Sequence, residues 1–90
     1  MNDDSYNIRY FATFRHGSWP DSETMLEVHA PDTYAGLMKL GDRMKDMDSL
    51  KDEEGLTSVR FYSEFHGTTQ FYKIGWNWEK GYTRIRQENR

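Results

Sequence analysis

Three β-strands are predicted within residues 56–86, LTSVRFYSEFHGTTQFYKIGWNWEKGYTRIR. Side chains alternate between the two faces of a strand, so the first eleven residues describe two registers. The register expected to face the core is Thr57, Val59, Phe61, Ser63 and Phe65, and the register expected to face outward is Ser58, Arg60, Tyr62, Glu64 and His66. An aromatic ring between two charged residues on the outer face indicates a surface that contacts a partner.

The rest of this stretch completes a three-stranded meander. His66-Gly67-Thr68 has the composition of a tight hairpin turn. The next strand is predicted to place Tyr72, Ile74, Trp76 and Trp78 in the core and Phe71, Lys73, Gly75 and Asn77 on the other side. Glu79-Lys80-Gly81 fits a three-residue hairpin loop with a left-handed glycine. Residues 82–86 then form an edge strand, whose arginines oppose edge-to-edge aggregation, and residues 87–90 form a frayed tail.

Two further strands are predicted nearer the N-terminus. Apolar and polar residues alternate over Tyr6–Arg15 and again over Thr24–Ala30. The residues expected to face the core are Tyr6, Ile8, Tyr10, Ala12 and Phe14 in the first strand and Thr24, Leu26, Val28 and Ala30 in the second. The residues between them, His16–Ser22, are dense in turn formers. We therefore expect a hairpin with a long loop.

One helix is predicted after the second strand. Asp32 or Thr33 can accept the free N–H groups of its first turn. Apolar residues recur at helical spacing at Tyr34, Leu37, Leu40 or Gly41, Met44 and Met47. Gly36 and Gly41 each lower helix propensity by about 1 kcal/mol, which indicates a close approach of the helix to the sheet. The spacing of Ser49-Leu50-Lys51-Asp52 predicts one further helical turn before residue 55.

The predicted order β-β-α-β-β-β defines a single α+β domain spanning residues 1–90. We expect an antiparallel sheet of four to five strands with one helix packed on one face. A single helix covers only one face of such a sheet, so the opposite face must be solvated or covered by a partner.

Composition excludes several classes of protein. The chain has no cysteine, which excludes a disulfide-stapled secreted scaffold, thiolate metal sites and cysteine nucleophiles. No segment approaches the roughly 20 apolar residues of a membrane span, and the acidic N-terminus lacks the apolar run of a signal peptide. We expect a soluble, cytoplasmic protein. The net charge of −3 is uneven, with twelve acids and six bases in residues 1–54 but three acids and six bases in residues 55–90.

Motifs for catalysis or metal binding are lacking in the sequence. Asp46–Lys51 resembles the start of a calcium loop, but Leu50 stands where an oxygen ligand is needed and Lys51 where glycine is needed. The three histidines, His16, His29 and His66, lie in separate segments without metal-ligand spacing. We therefore expect a non-enzymatic protein that uses no metal and no cofactor.

The uncovered sheet face is the strongest candidate site. It is predicted to display Arg9, Phe11, Arg15, Met25, Glu27, His29, Arg60, Tyr62, Glu64, Phe71 and Lys73. Three aromatics and four bases against two acids suit a protein interface, where aromatic residues and arginine are enriched. The expected anchors are Phe11, Tyr62 and Phe71, and the expected charged rim is Arg9, Arg15, Arg60 and Lys73.

Other interpretations of this face stay open. Its rings and bases also suit single-stranded RNA or DNA, whose bases stack on aromatic side chains beside a basic rim, although the net charge of −3 argues against this function. The face could instead seal a homodimer. Scattered apolar residues are normal on protein surfaces, and a one-residue error in register would exchange the two faces of a strand.

The leading prediction is a small protein-binding module without catalytic activity, which acts on another protein through this face or through an exposed strand edge; a small enzyme is the less favoured alternative. In size, acidity and lack of cysteine the chain resembles the small inhibitors that phages make against host or defence machinery, including nucleic-acid-processing machinery. The resemblance implies inhibition of a partner protein. No sequence motif carries it.

Overall fold

The computed structural model describes residues 7–15, 23–47 and 49–89, in which five strands and one helix form. The strands are β1 (Ile8–Arg15), β2 (Glu23–Ala30), β3 (Thr57–Ser63), β4 (Thr68–Asn77) and β5 (Tyr82–Glu88), and the helix is α1 (Thr33–Met44). The predicted element order and the α+β class are confirmed. Tyr6, predicted to begin β1, and the predicted loop over residues 16–22 lie outside the described residues.

One antiparallel sheet contains all five strands in the order β2-β1-β3-β4-β5. Three of the four pairings are hairpins between consecutive strands, and the fourth joins β1 to β3 after the chain has passed through α1. In this register Phe11 of β1 lies directly opposite Tyr62 of β3. The long-range pairing therefore brings two of the predicted anchors together at the centre of the sheet.

The hydrophobic core lies between α1 and one face of the sheet. The strands bury Tyr10, Ala12, Phe14, Val28, Ala30, Val59, Phe61, Tyr72 and Ile74. The ring of Tyr10 stacks on Phe61 with 4.8 Å between centroids, and Phe61 meets Tyr72 edge-on at 6.1 Å. Such aromatic pairs add stability beyond the area they bury. The core-facing registers predicted from alternation are correct over these positions.

The helix begins at Thr33 because Asp32 Oδ1 accepts the backbone N–H of Ala35 at 2.8 Å. The predicted apolar stripe is confirmed at Leu37, Leu40, Gly41 and Met44. A Cβ at position 41 would lie 2.9 Å from Thr83 Cβ and closer still to Thr83 Oγ1 and Cγ2. Glycine is required at position 41 because α1 packs directly against β5. The close approach of helix and sheet that the helix glycines predicted is therefore confirmed at this position.

Three predicted core aromatics are not buried. Tyr34 is 66% exposed because the buried side of α1 begins only at Gly36. Phe65 is 77% exposed because the turn after Ser63 ends the alternation of β3. Trp78 is 68% exposed because β4 ends at residue 77 and the chain turns. Trp76 is half-buried, with Lys45 Nζ 4.7 Å from its ring centroid.

Two boundaries also differ from the prediction. The segment after residue 48 forms no helical turn; instead the backbone N–H of Leu50 donates to the carbonyl of Arg15 at 3.0 Å. β5 continues to Glu88, into the predicted tail, because its residues pair with β4 as far as Phe71. The predicted left-handed glycine is confirmed at Gly81, whose φ is 71°.

Candidate functional site

The sheet face opposite α1 is called the open face. All eleven residues predicted for it lie there: Arg9, Phe11 and Arg15 on β1, Met25, Glu27 and His29 on β2, Arg60 and Tyr62 on β3, Glu64 directly after β3 and 3.6 Å from Arg9, and Phe71 and Lys73 on β4. β5 adds Tyr82, Arg84, Arg86 and Glu88, because its pairing with β4 continues the same face. Period-two alternation therefore located the face correctly, but only over four of its five strands.

An aromatic cluster occupies the middle of the open face. The rings of Phe11 and Tyr62 lie 6.4 Å apart between centroids with a 31° tilt. Phe71 is on the next strand, diagonal to Tyr62 and directly opposite Arg60. Tyr62 is 38% exposed, while Phe11 and Phe71 are half-buried. None of these rings is buried under the helix, so all three lie on the surface away from α1.

The bases of the open face are largely paired with acids. Arg9 lies 3.7 Å from Glu27 and 3.6 Å from Glu64, and Arg60 lies 3.2 Å from Glu23. Glu27 is also hydrogen-bonded by His29, and this bond is the main cause of the lowered pKa of its carboxyl group. Glu23 was missed because β2 begins one residue before its predicted start. The rim is therefore not basic in character.

A further contribution to the open face comes from residues 50–56, here called the covering segment. These residues leave the end of α1, pass the end of β1 and lie over β4 and β5 on the open side. A Cβ at position 75 would lie 2.8 Å from the carbonyl oxygen of Gly55 and 2.7 Å from Leu56 Cδ2. Gly75 therefore permits the covering segment to rest directly on the sheet.

Asp52 organises the covering segment. Its Oδ1 accepts the backbone N–H groups of Glu54 at 2.8 Å and Leu56 at 3.0 Å, and its Oδ2 accepts from Lys73 Nζ at 2.7 Å. The bond from Lys73 is the largest cause that lowers the pKa of Asp52 to about 2, and the same bond raises the pKa of Lys73. Lys73 is thus engaged within the molecule rather than offered to a partner.

The acids of the covering segment complete the charge balance. Arg86 Nη1 lies 3.0 Å from a carboxylate oxygen of Glu54, and Arg84 Nη1 donates to the Glu54 backbone carbonyl at 3.2 Å. Among the described residues, the open face with its covering segment carries seven bases (Arg9, Arg15, Lys51, Arg60, Lys73, Arg84, Arg86) and seven acids (Glu23, Glu27, Asp52, Glu53, Glu54, Glu64, Glu88). The residues added by Glu23, β5 and the covering segment therefore balance the excess of four bases over two acids that the predicted set has.

A cavity of about 490 Å³ opens between the covering segment and the strands. Its lining includes Arg15, Leu50, Lys51, Leu56, Arg60 and Phe71. It forms where the pairing of β1 with β3 stops, at Phe14 and Val59. Beyond that point the backbone N–H of Leu50 donates to the carbonyl of Arg15. The sequence contains no signal for this cavity, because it depends on where a distant segment crosses the sheet.

The edge strand β2 is shielded by the helix. Lys39 Nζ donates to the His29 carbonyl at 2.7 Å, and Arg43 Nη1 donates to the Glu27 carbonyl at 2.8 Å. An added strand would need free backbone acceptors along this edge, and charged side chains commonly block such additions. Binding through a β2 edge is therefore disfavoured relative to binding through the open face.

One side-chain pair on the helix side of the sheet was missed from sequence. Ser63 Oγ lies 2.8 Å from His66 Nδ1 and accepts the His66 backbone N–H at 3.2 Å. Alternation placed the two residues on opposite faces, but the turn between β3 and β4 brings them together. Among the described residues no carboxylate bonds the other ring nitrogen, so the pair closes the turn without the third group of a catalytic triad.

Nowhere in the described ranges do three potential metal-ligating side chains converge. α1, at 12 residues, is too short to cross a bilayer, and the described part of the chain has no other helix for that role. No protein-family model matches this chain, and comparison with curated proteins and with solved structures finds no significant match. The geometry of the open face is therefore the feature of this protein that bears on its function.

Proposed function

We propose that this chain is a small non-enzymatic module that binds another protein through its open face. The observation that carries the proposal is the cluster of Phe11, Tyr62 and Phe71 on the sheet face that α1 leaves uncovered. Aromatic anchors surrounded by polar residues are typical of the energetically dominant centre of protein interfaces. The flanking ion pairs supply a polar rim of the kind that surrounds such a centre.

Charge balance favours a protein partner over single-stranded RNA or DNA. A nucleic-acid site gains most of its affinity from bases that neutralise phosphates and release counterions. Here Arg9, Arg60 and Lys73, three of the four predicted rim bases, already have carboxylate partners. A polyanion would have to displace those acids, whereas a protein surface can add its own hydrogen bonds to them.

The narrower form of the proposal is an inhibitor that occupies a functional surface of its partner in the cytoplasm. The lack of cysteine suits a reducing compartment, and the small size suits a diffusible protein. An activity assay on the captured partner tests this form: inhibition should rise in proportion to occupancy of the partner.

The test compares two matched double variants in affinity capture followed by quantitative mass spectrometry. Tyr62→Ala with Phe71→Ala removes two anchors from the open face, and Tyr34→Ala with Phe65→Ala removes one tyrosine and one phenylalanine from other surfaces. The partner recovered by the wild type and by the control should be lost from the first variant, with unchanged circular dichroism. Retention of the partner by the first variant contradicts the proposal.

Salt and sedimentation separate the rival functions. Binding to the purified partner should change little between 50 and 200 mM salt, whereas loss of about 10³-fold or more would indicate phosphate contacts. Sedimentation over a concentration series tests self-association. A wild-type dimer that the Tyr62 and Phe71 substitutions dissociate would assign the open face to a homodimer instead.

A further inference from the structure

We infer that the cavity beneath the covering segment receives an acidic anchor of the partner, namely a carboxylate side chain next to an apolar one on an extended segment. The inference rests on the proposed function, because the cavity adjoins Phe71, one of the proposed anchors on the open face. It adds the chemistry of the partner, which the aromatic cluster by itself leaves undefined.

The cavity is built before any ligand binds. One wall is the covering segment, which the bonds of Asp52 to Glu54, Leu56 and Lys73 hold in place. Residues at the ends of β1 and β3, where the pairing of these strands stops, also line the cavity. At about 490 Å³ the cavity lies within the range of small-ligand sites and is large enough for one or two side chains. A cavity that is already formed lowers the entropic cost of binding, because fewer side chains and loops have to be ordered.

Two cations that form no ion pair within the described part of the chain line the cavity. Arg15 and Lys51 are both exposed, and neither forms an ion pair with another described residue. The other charged groups of the lining are satisfied, since Arg60 is paired with Glu23 and Asp52 is bonded by Lys73. An anionic group entering here would meet two cations that the folded chain leaves available.

The lining selects an anion that carries an apolar neighbour. Leu50, which is 56% exposed on the covering segment, and the half-buried Phe71 both line the cavity. Burying an apolar side chain against Leu50 would remove hydrocarbon surface from water. A simple inorganic anion would leave Leu50 exposed.

A carboxylate fits this cavity better than a chain of phosphates. Glu23 and Asp52 also line it, and a polyanion that extended past the two available cations would approach both of these carboxylates. A single carboxylate brings one negative charge to Arg15 and Lys51, so Glu23 and Asp52 repel it less than they would repel a chain of phosphates. The predicted partner segment therefore carries isolated acidic residues beside apolar ones.

The test is a titration of the ¹⁵N-labelled protein followed by amide chemical shifts. The probe is the acetylated and amidated tripeptide Glu-Phe-Glu, with Gln-Phe-Gln as the uncharged control. The acidic peptide should shift the amides of Ser58 and Phe71 with saturation in the millimolar range. Replacing Arg15 and Lys51 by Ser should weaken binding by about fivefold or more, whereas Lys80→Ser, in the β4–β5 turn, should leave it unchanged.

Each of the following outcomes would contradict binding of an acidic anchor in the cavity. Equal affinity for the uncharged peptide, or unchanged affinity in the Arg15 and Lys51 double variant, overturns the inference. Tighter binding of inorganic phosphate or an oligouridylate at the same amides would make the site a phosphate site. Shifts confined to Phe11 and Tyr62 would also overturn it, yet they would leave the proposed function of the open face intact.

Discussion

Gly75→Ala is the substitution that tests most directly how the covering segment lies on the open face. A strand glycine is less stable than alanine by about 0.5–1 kcal/mol, so in open space this change would stabilise the protein. Here the added Cβ would lie 2.8 Å from the Gly55 carbonyl oxygen, which is about 0.6 Å inside ordinary contact. A backbone carbonyl cannot rotate away as a side chain can, so the covering segment has to move.

The expected cost follows from these opposing effects. Overpacking a well-filled site costs about 1–3 kcal/mol, which exceeds the gain in strand propensity. We therefore expect Gly75→Ala to lower the free energy of unfolding by about 1 kcal/mol and to shift the amide signals of residues 52–56. The movement should also widen the cavity and weaken binding of the acidic peptide.

Urea denaturation followed by circular dichroism measures the free energy, and amide exchange of residues 50–56 measures the position of the covering segment. Thr69→Ala is the control, because Thr69 lies exposed on the same strand and opposite Tyr62, away from the covering segment. A Gly75→Ala protein at least as stable as the wild type, with unchanged signals for residues 52–56, would refute the placement of the covering segment on the sheet.

Three further predictions concern other contacts. Asp52→Asn should lower the free energy of unfolding at neutral pH. The pKa of Asp52 is lowered from 3.8 to about 2 in the folded protein, so its carboxylate contributes stability above pH 3.8 and loses that contribution as the pH falls through about 2. Urea denaturation at a series of pH values should therefore show the difference in unfolding free energy between wild type and variant shrinking over that range. Lys39→Met with Arg43→Met should uncover the β2 edge and raise self-association, which sedimentation would detect; a monomer at all concentrations contradicts this role. Gly41→Ala should lower the free energy of unfolding by about 1 kcal/mol, because the new methyl group meets Thr83 and this clash outweighs the better helix propensity of alanine. A midpoint of urea denaturation equal to or higher than that of the wild type would contradict the contact.

The candidate site was predictable from sequence only in part. The seven binding residues predicted from sequence were placed on one face because side chains alternate along each strand, and this rule needs no knowledge of neighbouring strands. The predictions failed where a strand ended. Phe65 and Trp78 continue the apolar alternation in sequence but lie in turns, where the period of two no longer applies.

The sequence by itself determined the α+β class, the hairpins, the capped helix and the aromatic side chains of the open face, because each of these depends on residues close together along the chain. The charge and shape of that face depended on tertiary structure. Asp52 lies 21 residues from Lys73, and Glu23 lies 37 residues from Arg60, yet these contacts neutralise the predicted rim. The cavity likewise depends on a segment that crosses the sheet after the helix, and no local pattern encodes where that segment comes to rest.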